Sequence, residues 1–308
     1  MHFNLTVSMQ VLLKGPTLTE IALAILQQKK PSTKSNKWFF NVKQNSNARL
    51  RLFCFPYGGG GASLYYDWQD YLPEHIEVCP IQLPGRENRM DEVSIHNMSL
   101  LINNIVEHLQ SKLDLPFAFF GHSFGALIAF ELTRYLRRHN LPQPVSLFIS
   151  AFPDPHHPTT HLDTLLMQLS VNNINLSEVT NSLSEDQLNR LISIFQNYGI
   201  LDEKHFVLNK NMIKLLLPTF IGDVNIVKNY TYYEEPPLDI PLTLFVGKQD
   251  NWVSPDDYFK WAEQTTQKFE LVEFDGGHLF VKDLAIKQHM LAVIKNTLMT
   301  ASQTVKEP

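Results

Sequence analysis

No run of apolar residues in this chain reaches the ~18 needed to cross a bilayer, so nothing in it reads as a transmembrane helix. The first ten residues, MHFNLTVSMQ, lack a basic stretch followed by an apolar core, and no secretory signal is expected. Cysteine is scarce: Cys54 and Cys79 are the only two among 308 residues, and both sit in apolar, strand-like runs. They are expected to be buried thiols in a reducing compartment rather than a disulfide, which points to the cytoplasm. Neither sign of charge dominates. The net charge of −5 provides no footprint for nucleic acid, and no internal repeat is evident. What is there, 44% apolar and 19% charged residues, is ordinary for a globular protein and sufficient for one large domain with an appendage.

Residues 1–27 read as a small helical segment. Thr17 and Glu20 have the spacing of a capping box, and Leu18, Ile21 and Ile25 recur at helical intervals. Residues 28–48 are polar and read as a linker, with Trp38, Phe39 and Phe40 as an apolar island; Lys29, Lys30, Lys34 and Lys37 fit a solvated tether. From residue 49 to about 300 the pattern is that of an α/β domain. Apolar runs at 51–56, 76–82, 117–121, 145–151, 241–246 and 269–274 are continuous rather than alternating, as expected of parallel strands buried on both faces. Helical stretches near 95–113, 123–139, 252–264 and 281–298 lie between them. This alternation implies a mostly parallel, doubly wound sheet with helices on both faces. About ninety residues of helical character separate the fourth strand from the fifth, an insertion expected to form a lid over the sheet.

Gly121-His122-Ser123-Phe124-Gly125 is a G-x-S-x-G, preceded by an apolar strand and followed by an apolar helix. In that context the motif predicts a sharp strand–turn–helix elbow with the Ser123 hydroxyl exposed as nucleophile, and with a helix N-terminus favouring negative charge beside it. His122 should point away and serve packing or positioning. A serine needs a base. Of the twelve histidines, His278 is the one in a loop after the last strand, in Asp275-Gly276-Gly277-His278, whereas His289 lies mid-helix. Two loops compete to supply the acid that orients that base, one carrying Asp250 and the other Asp154. Asp250, just after a Gly-containing turn, is favoured over Asp154, which is wedged between Pro153 and Pro155. Asp275 is too close in sequence to His278. Backbone donors for an oxyanion are expected from Phe124 and from the Phe55–Gly61 stretch that follows the first strand, whose four glycines permit close backbone approach. No G-K-[ST] follows those glycines, which disfavours a phosphate-cradling loop.

Taken in order, CFPYGGGGAS, LPGREN-R, GHSFGA, LLLPTFIGDVNIVKNYTY, VGKQD and FDGGH resemble the external, type II thioesterases of polyketide and nonribosomal peptide synthesis, over about residues 50–298. The resemblance implies the α/β-hydrolase fold. It also implies hydrolysis of acyl groups from the phosphopantetheine arm of acyl or peptidyl carrier domains, for editing or release in antibiotic biosynthesis. The cofactor-like arm belongs to the carrier, and no cofactor or metal of the chain's own is implied. Carried over, Ser123, Asp250 and His278 match the triad, Gly58 and Phe124 the oxyanion donors, and 154–235 the mobile lid. The family also settles the acid on Asp250, since its chain-terminating relatives carry theirs near Ser150 or Ala151, neither of which is acidic here. Tyr57-Gly58-Gly59-Gly60 departs from the usual His-Ala-Gly-Gly. Arg86 and Arg89 match family positions and are expected to fix a loop through ion pairs. Residues 1–27 resemble the C-terminal half of a carrier domain without its attachment serine. A carboxylesterase acting on small esters, a chain-releasing cyclase and a non-catalytic carrier-docking module are the alternatives.

Overall fold

The computed structural model describes residues 37–40, 42, 45–156, 160–171, 184–197 and 210–304. The carrier-like segment 1–27 and the start of the expected linker lie outside them. Six strands form one sheet: β1 (Leu50–Phe55), β2 (Ile76–Pro80), β3 (Phe117–His122), β4 (Leu147–Ser150), β5 (Leu242–Gly247) and β6 (Phe269–Phe274). Their order is β2-β1-β3-β4-β5-β6, and every pairing is parallel. The chain therefore reverses direction across the sheet between β1 and β3. In open α/β sheets, sites form beyond the C-terminal strand ends at such a switch.

Alternation within the strands builds two cores. Phe53, Phe55, Phe119, Leu147, Ile149, Leu244 and Val246 face one side. There they meet α1 (Met98–Leu109), α2 (Phe124–Arg138) and α6 (Pro255–Ala262). Leu52, Cys54, Phe120, Phe148 and Phe245 face the other, against α7 (Leu284–Thr304) and the short turns holding Tyr65 and Trp68. Period-two side chains with apolar residues on both faces are what a doubly covered sheet demands. Helix starts are set locally. Asn97 accepts the Leu100 N–H at 2.9 Å to begin α1, and Ser254 with Asp257 forms a capping box ahead of α6, with Pro255 in its first turn.

Within 154–235, three helices are described: α3 (Thr160–Val171), α4 (Glu185–Asn197) and α5 (Lys210–Lys228). They share a separate apolar cluster in which Leu162, Leu165, Leu188, Leu191, Leu217 and Ile221 meet. Cys54 and Cys79 are free and buried.

Two sequence expectations need correction. The run at 269–274 is not buried on both faces: β6 is the sheet's edge strand, and residues 269–273 are partly or fully exposed. Its Glu270 and Glu273 interrupt the apolar run, as an edge permits. Nor are residues 37–40, within the expected linker, a plain tether. Phe39 bridges Ile81 antiparallel, and the Gln82 N–H donates to Trp38 O at 2.9 Å. Trp38 is buried beneath the Arg89 guanidinium, 4.4 Å from the ring centroid, and Lys37 pairs with Glu92 at 3.0 Å. Apolar surface on Trp38 and Phe39 draws the segment onto the domain.

Candidate active site

β3 runs into α2 through a turn in which Ser123 has φ 54° and ψ −121°, a conformation that non-glycine residues rarely adopt. Close packing enforces it. A Cβ on Gly121 would run into the carbonyl of Gly125, and one on Gly125 into the carbonyl of Phe55, so helix, nucleophile strand and β1 meet through glycine. The Ser123 N–H donates to Ser150 O at 2.7 Å, tying the turn to the end of β4. The serine is half-buried at the C-terminal rim of the sheet, above the first turn of α2.

The structure brings Ser123, His278 and Asp250 together. Ser123 Oγ lies 2.9 Å from His278 Nε2, and His278 Nδ1 lies 3.0 Å and 3.1 Å from the two Asp250 oxygens. A carboxylate can only accept, so Nδ1 carries the proton and Nε2 is left to receive the Ser123 hydroxyl. The Asp250 side chain is fully buried and also accepts the Trp252 N–H at 2.8 Å. The two loops that carry this pair are sewn to each other. Lys248 N–H donates to Phe274 O at 2.8 Å and Gln249 N–H to Gly276 O at 3.0 Å, while Asp250 N–H closes a turn on Gly247 O at 2.9 Å.

The other candidates go elsewhere. Asp154 accepts the backbone and ring N–H groups of His156, at 2.9 Å and 2.5 Å. Asp275 is exposed beside Lys248, and His289 packs on the ring of Phe274. His122 is fully buried and points away from the pocket. Its Nε2–H donates to His278 O at 2.9 Å, so Nδ1 accepts the Ser150 hydroxyl at 2.8 Å. Burial, reinforced by nearby His278, pushes its pKa well below the usual histidine value, so it is a neutral strut that holds the His278 backbone.

A pocket partly open to solvent lies over Ser123 and His278. Gly58 and Phe124 line it together with Ser123; Phe152, Phe220, Val227 and Trp252 give it apolar walls. Neighbouring amides in the glycine loop are committed. Gly59 N–H donates to Asp223 Oδ2 at 2.7 Å, Gly60 N–H to Tyr57 O at 2.9 Å, and Ala62 N–H to Gln82 Oε1 at 2.8 Å. Among the described residues, no group of three or more His, Cys, Asp or Glu is arranged to hold a metal ion.

Sequence reasoning passed over Ser150 and Asp223. The second had a signal: it is the one acidic residue in the apolar stretch LLLPTFIGDVNIV. Arg86 is buried and makes a two-pronged ion pair with Asp223, 2.8 Å for each nitrogen. Arg89 holds Glu92 at 2.6 Å and Gln82 O at 2.7 Å. Both arginines thus secure loops.

Residues 50–296 match the family model described as a thioesterase domain. The chain is 38% identical over 246 residues to the gramicidin S biosynthesis protein GrsT of Aneurinibacillus migulanus, covering 80% of this chain and 88% of that protein. It is 31% identical over 273 residues to the human medium-chain S-acyl fatty acid synthase thioesterase, covering 87% and 94%. Among solved structures, it resembles RedJ, a thioesterase of the prodiginine pathway in Streptomyces coelicolor. There the TM-score is 0.69 at 28% identity, with 88% of this chain and 92% of that one covered.

Proposed function

The chain belongs to the thioesterase domain family, and on that premise we propose that it hydrolyses acyl groups from the phosphopantetheine arm of carrier proteins in polyketide or nonribosomal peptide synthesis. Ser123 attacks the thioester carbonyl while His278 Nε2 takes its proton. Asp250 holds the Nδ1–H tautomer and steadies the imidazolium that forms. The amides of Gly58 and Phe124 receive the oxyanion. As the tetrahedral intermediate collapses, the C–S bond breaks and the pantetheine thiol leaves with the proton from His278. His278 then deprotonates water, which attacks the acyl-serine; the free acid departs and Ser123 regains its proton. A thiol leaves readily, so the demand falls on positioning and on the oxyanion donors.

The observation that carries this reading is the unbroken relay of 2.9 Å from Ser123 to His278 and 3.0 Å from His278 to Asp250, at the floor of an apolar pocket. The apolar walls favour acyl chains. Free, buried thiols at Cys54 and Cys79 support a reducing compartment, hence the cytoplasm, where carrier proteins would be met. Among the described residues, no helix is long and apolar enough to cross a membrane.

The test is incubation with a carrier protein loaded with a panel of acyl chains, wild type beside Ser123→Ala, followed by mass spectrometry of the carrier and the product. Free acid and bare pantetheine with wild type alone are expected. Faster turnover of simple oxygen esters than of loaded carrier would favour a carboxylesterase, and a lactone or lactam product a cyclase. Failure of an active-site serine probe to label Ser123 would reduce the protein to a docking module.

A further inference from the structure

Asp223 belongs to the lid segment, on α5, yet it reaches into the loop from which the oxyanion amide is drawn. Its side chain is 3% exposed. One oxygen accepts Gly59 N–H at 2.7 Å and Arg86 Nη1 at 2.8 Å, and the other accepts Arg86 Nη2 at 2.8 Å. The same guanidinium donates to Gly60 O at 3.1 Å. Arg86 and Asp223 therefore grip the glycine loop on both sides of Gly59, one residue beyond Gly58. Contact continues along α5. Phe220 packs on Gly59, a residue with φ +72°, and would stand 3.2 Å from a Cβ placed there. Thr219 Oγ1 donates to Gly85 O at 2.5 Å, in the loop that carries Arg86. A Cβ on Gly58 would lie 3.7 Å from Asp223 Cβ and 3.8 Å from Phe124 Cβ, so the carboxylate-bearing residue adjoins both expected oxyanion donors.

Charge makes the pair more than a brace. A lone buried carboxylate beside a developing oxyanion would oppose it, and only a closely paired cation removes that penalty. The bidentate geometry gives direction as well as neutralisation. By contrast, α4 shares with α5 only the apolar cluster of Leu188, Leu191, Ile194 and Phe195, to which α3 adds Leu162, Leu165 and Leu169, and apolar contacts of this kind set no orientation of their own.

We propose that the Arg86–Asp223 pair is a latch between α5 and the glycine loop that sets the Gly58 amide for the oxyanion, making both side chains positioning residues for the tetrahedral step. This rests on the acyl-serine mechanism proposed above. Movement of α3 and α4 leaves the hole intact, whereas lifting α5 dismantles it.

The experiment measures kcat and KM on a soluble acyl-pantetheine thioester, affinity for an alkylboronic acid as tetrahedral mimic, and the melting temperature. The proteins compared are wild type, Asp223→Ala, Arg86→Met and the double variant Arg86→Met/Asp223→Leu. Asp223→Ala is expected to lose about tenfold to a hundredfold in kcat with KM changed less than about threefold, and to lose boronate affinity in parallel. Arg86→Met should lose more, because it strands the carboxylate beside the oxyanion, and the double variant should recover part of that loss. A folded Asp223→Ala with kcat within twofold of wild type, a loss confined to KM, or undiminished boronate affinity overturns the latch. If Asp223→Ala does not fold, Asp223→Asn is read by the same criteria: about a fivefold fall in kcat and boronate affinity supports the latch, and a change under twofold overturns it. Wild type that cleaves neither this thioester nor a loaded carrier sinks the proposed function itself, whereas an active wild type with an indifferent Asp223→Ala sinks only the latch.

Discussion

The loops after β4 and β5 leave neighbouring parallel strands at the same rim, and each carries an aspartate within four residues of its strand, yet their carboxylates meet different histidines. The β5 loop is sewn by three backbone hydrogen bonds, one within its own turn, one to Phe274 at the end of β6 and one to Gly276 in the segment that bears His278. The β4 loop is sewn to α6 instead. Trp261 Nε1–H is shared by Phe152 O and Pro153 O at 3.0 Å and 3.1 Å, and the Asp154 N–H donates to Asp257 Oδ1 at 2.8 Å. Two carboxylates that leave the sheet at one rim thus reach different histidines because of the neighbour that anchors each backbone. A loop's anchoring, more than its residue type, decides where a short side chain such as aspartate can reach.

The contrast can be broken most severely at the carboxylates themselves. Asp250→Asn should cut kcat on an acyl thioester by about 10⁴-fold by upsetting the His278 tautomer, whereas Asp154→Asn should stay within about twofold. Steady-state kinetics of the two variants side by side reverses the assignment if their losses are exchanged. Next in size, Gly247→Ala strikes the stitching rather than the acid, because its Cβ would run into the carbonyl of Gly276. A stability loss of about 1–3 kcal/mol by urea unfolding is expected, with kcat falling up to about 10²-fold as Asp250 and His278 drift apart. A smaller effect should follow Ser150→Ala, which takes away the hydroxyl donated to His122 and leaves the strut behind His278 less well held. The expected loss is about 1 kcal/mol of stability and less than about tenfold in kcat, with KM unchanged.

The floor for all of these is Glu92, remote from both loops. Hydrogen bonds from Arg89, then from Lys37, hold its carboxyl down to about 2 against an ordinary 4.5. A depressed folded-state pKa means that the contribution to stability is complete above about pH 4.5 and is lost as the pH falls toward about 2. Glu92→Gln should flatten that part of the acid-unfolding curve by less than about 1 kcal/mol, because the pair is partly solvated, with kcat at pH 7 untouched. Urea melts at pH 7, 4 and 3 measure it.

Much of the fold was legible because it depends on short-range pattern. The runs at 51–56, 117–121 and 241–246 are apolar without alternation and become central strands. The exposed side of β6 was harder to read, since edge position depends on which strand ends the sheet rather than on Phe269–Phe274 alone. Residues 37–40 misled for a related reason: the polar composition around them suggested a tether, while Trp38 and Phe39 found apolar surface and backbone partners that only the folded domain offers. Within the site, Ser123 announced itself through its glycines and His278 through its place after the last strand. Arg86 and Asp223 did not announce each other, being 137 residues apart, and nothing local to either specifies the partner.

The amino-acid sequence alone determined the succession of strands and helices, the elbow at Ser123 and the glycine-rich loop after β1. Each of these follows from side-chain periodicity or from backbone conformations that few residue types can adopt. For the acid the sequence favoured Asp250 and the fold supplied the contact with His278; tertiary structure alone decided that His122 braces His278 from behind and that α5 pairs with Arg86. Those outcomes turn on a few ångströms between segments distant along the chain, and such distances exist only once the sheet has brought the strand ends to one rim.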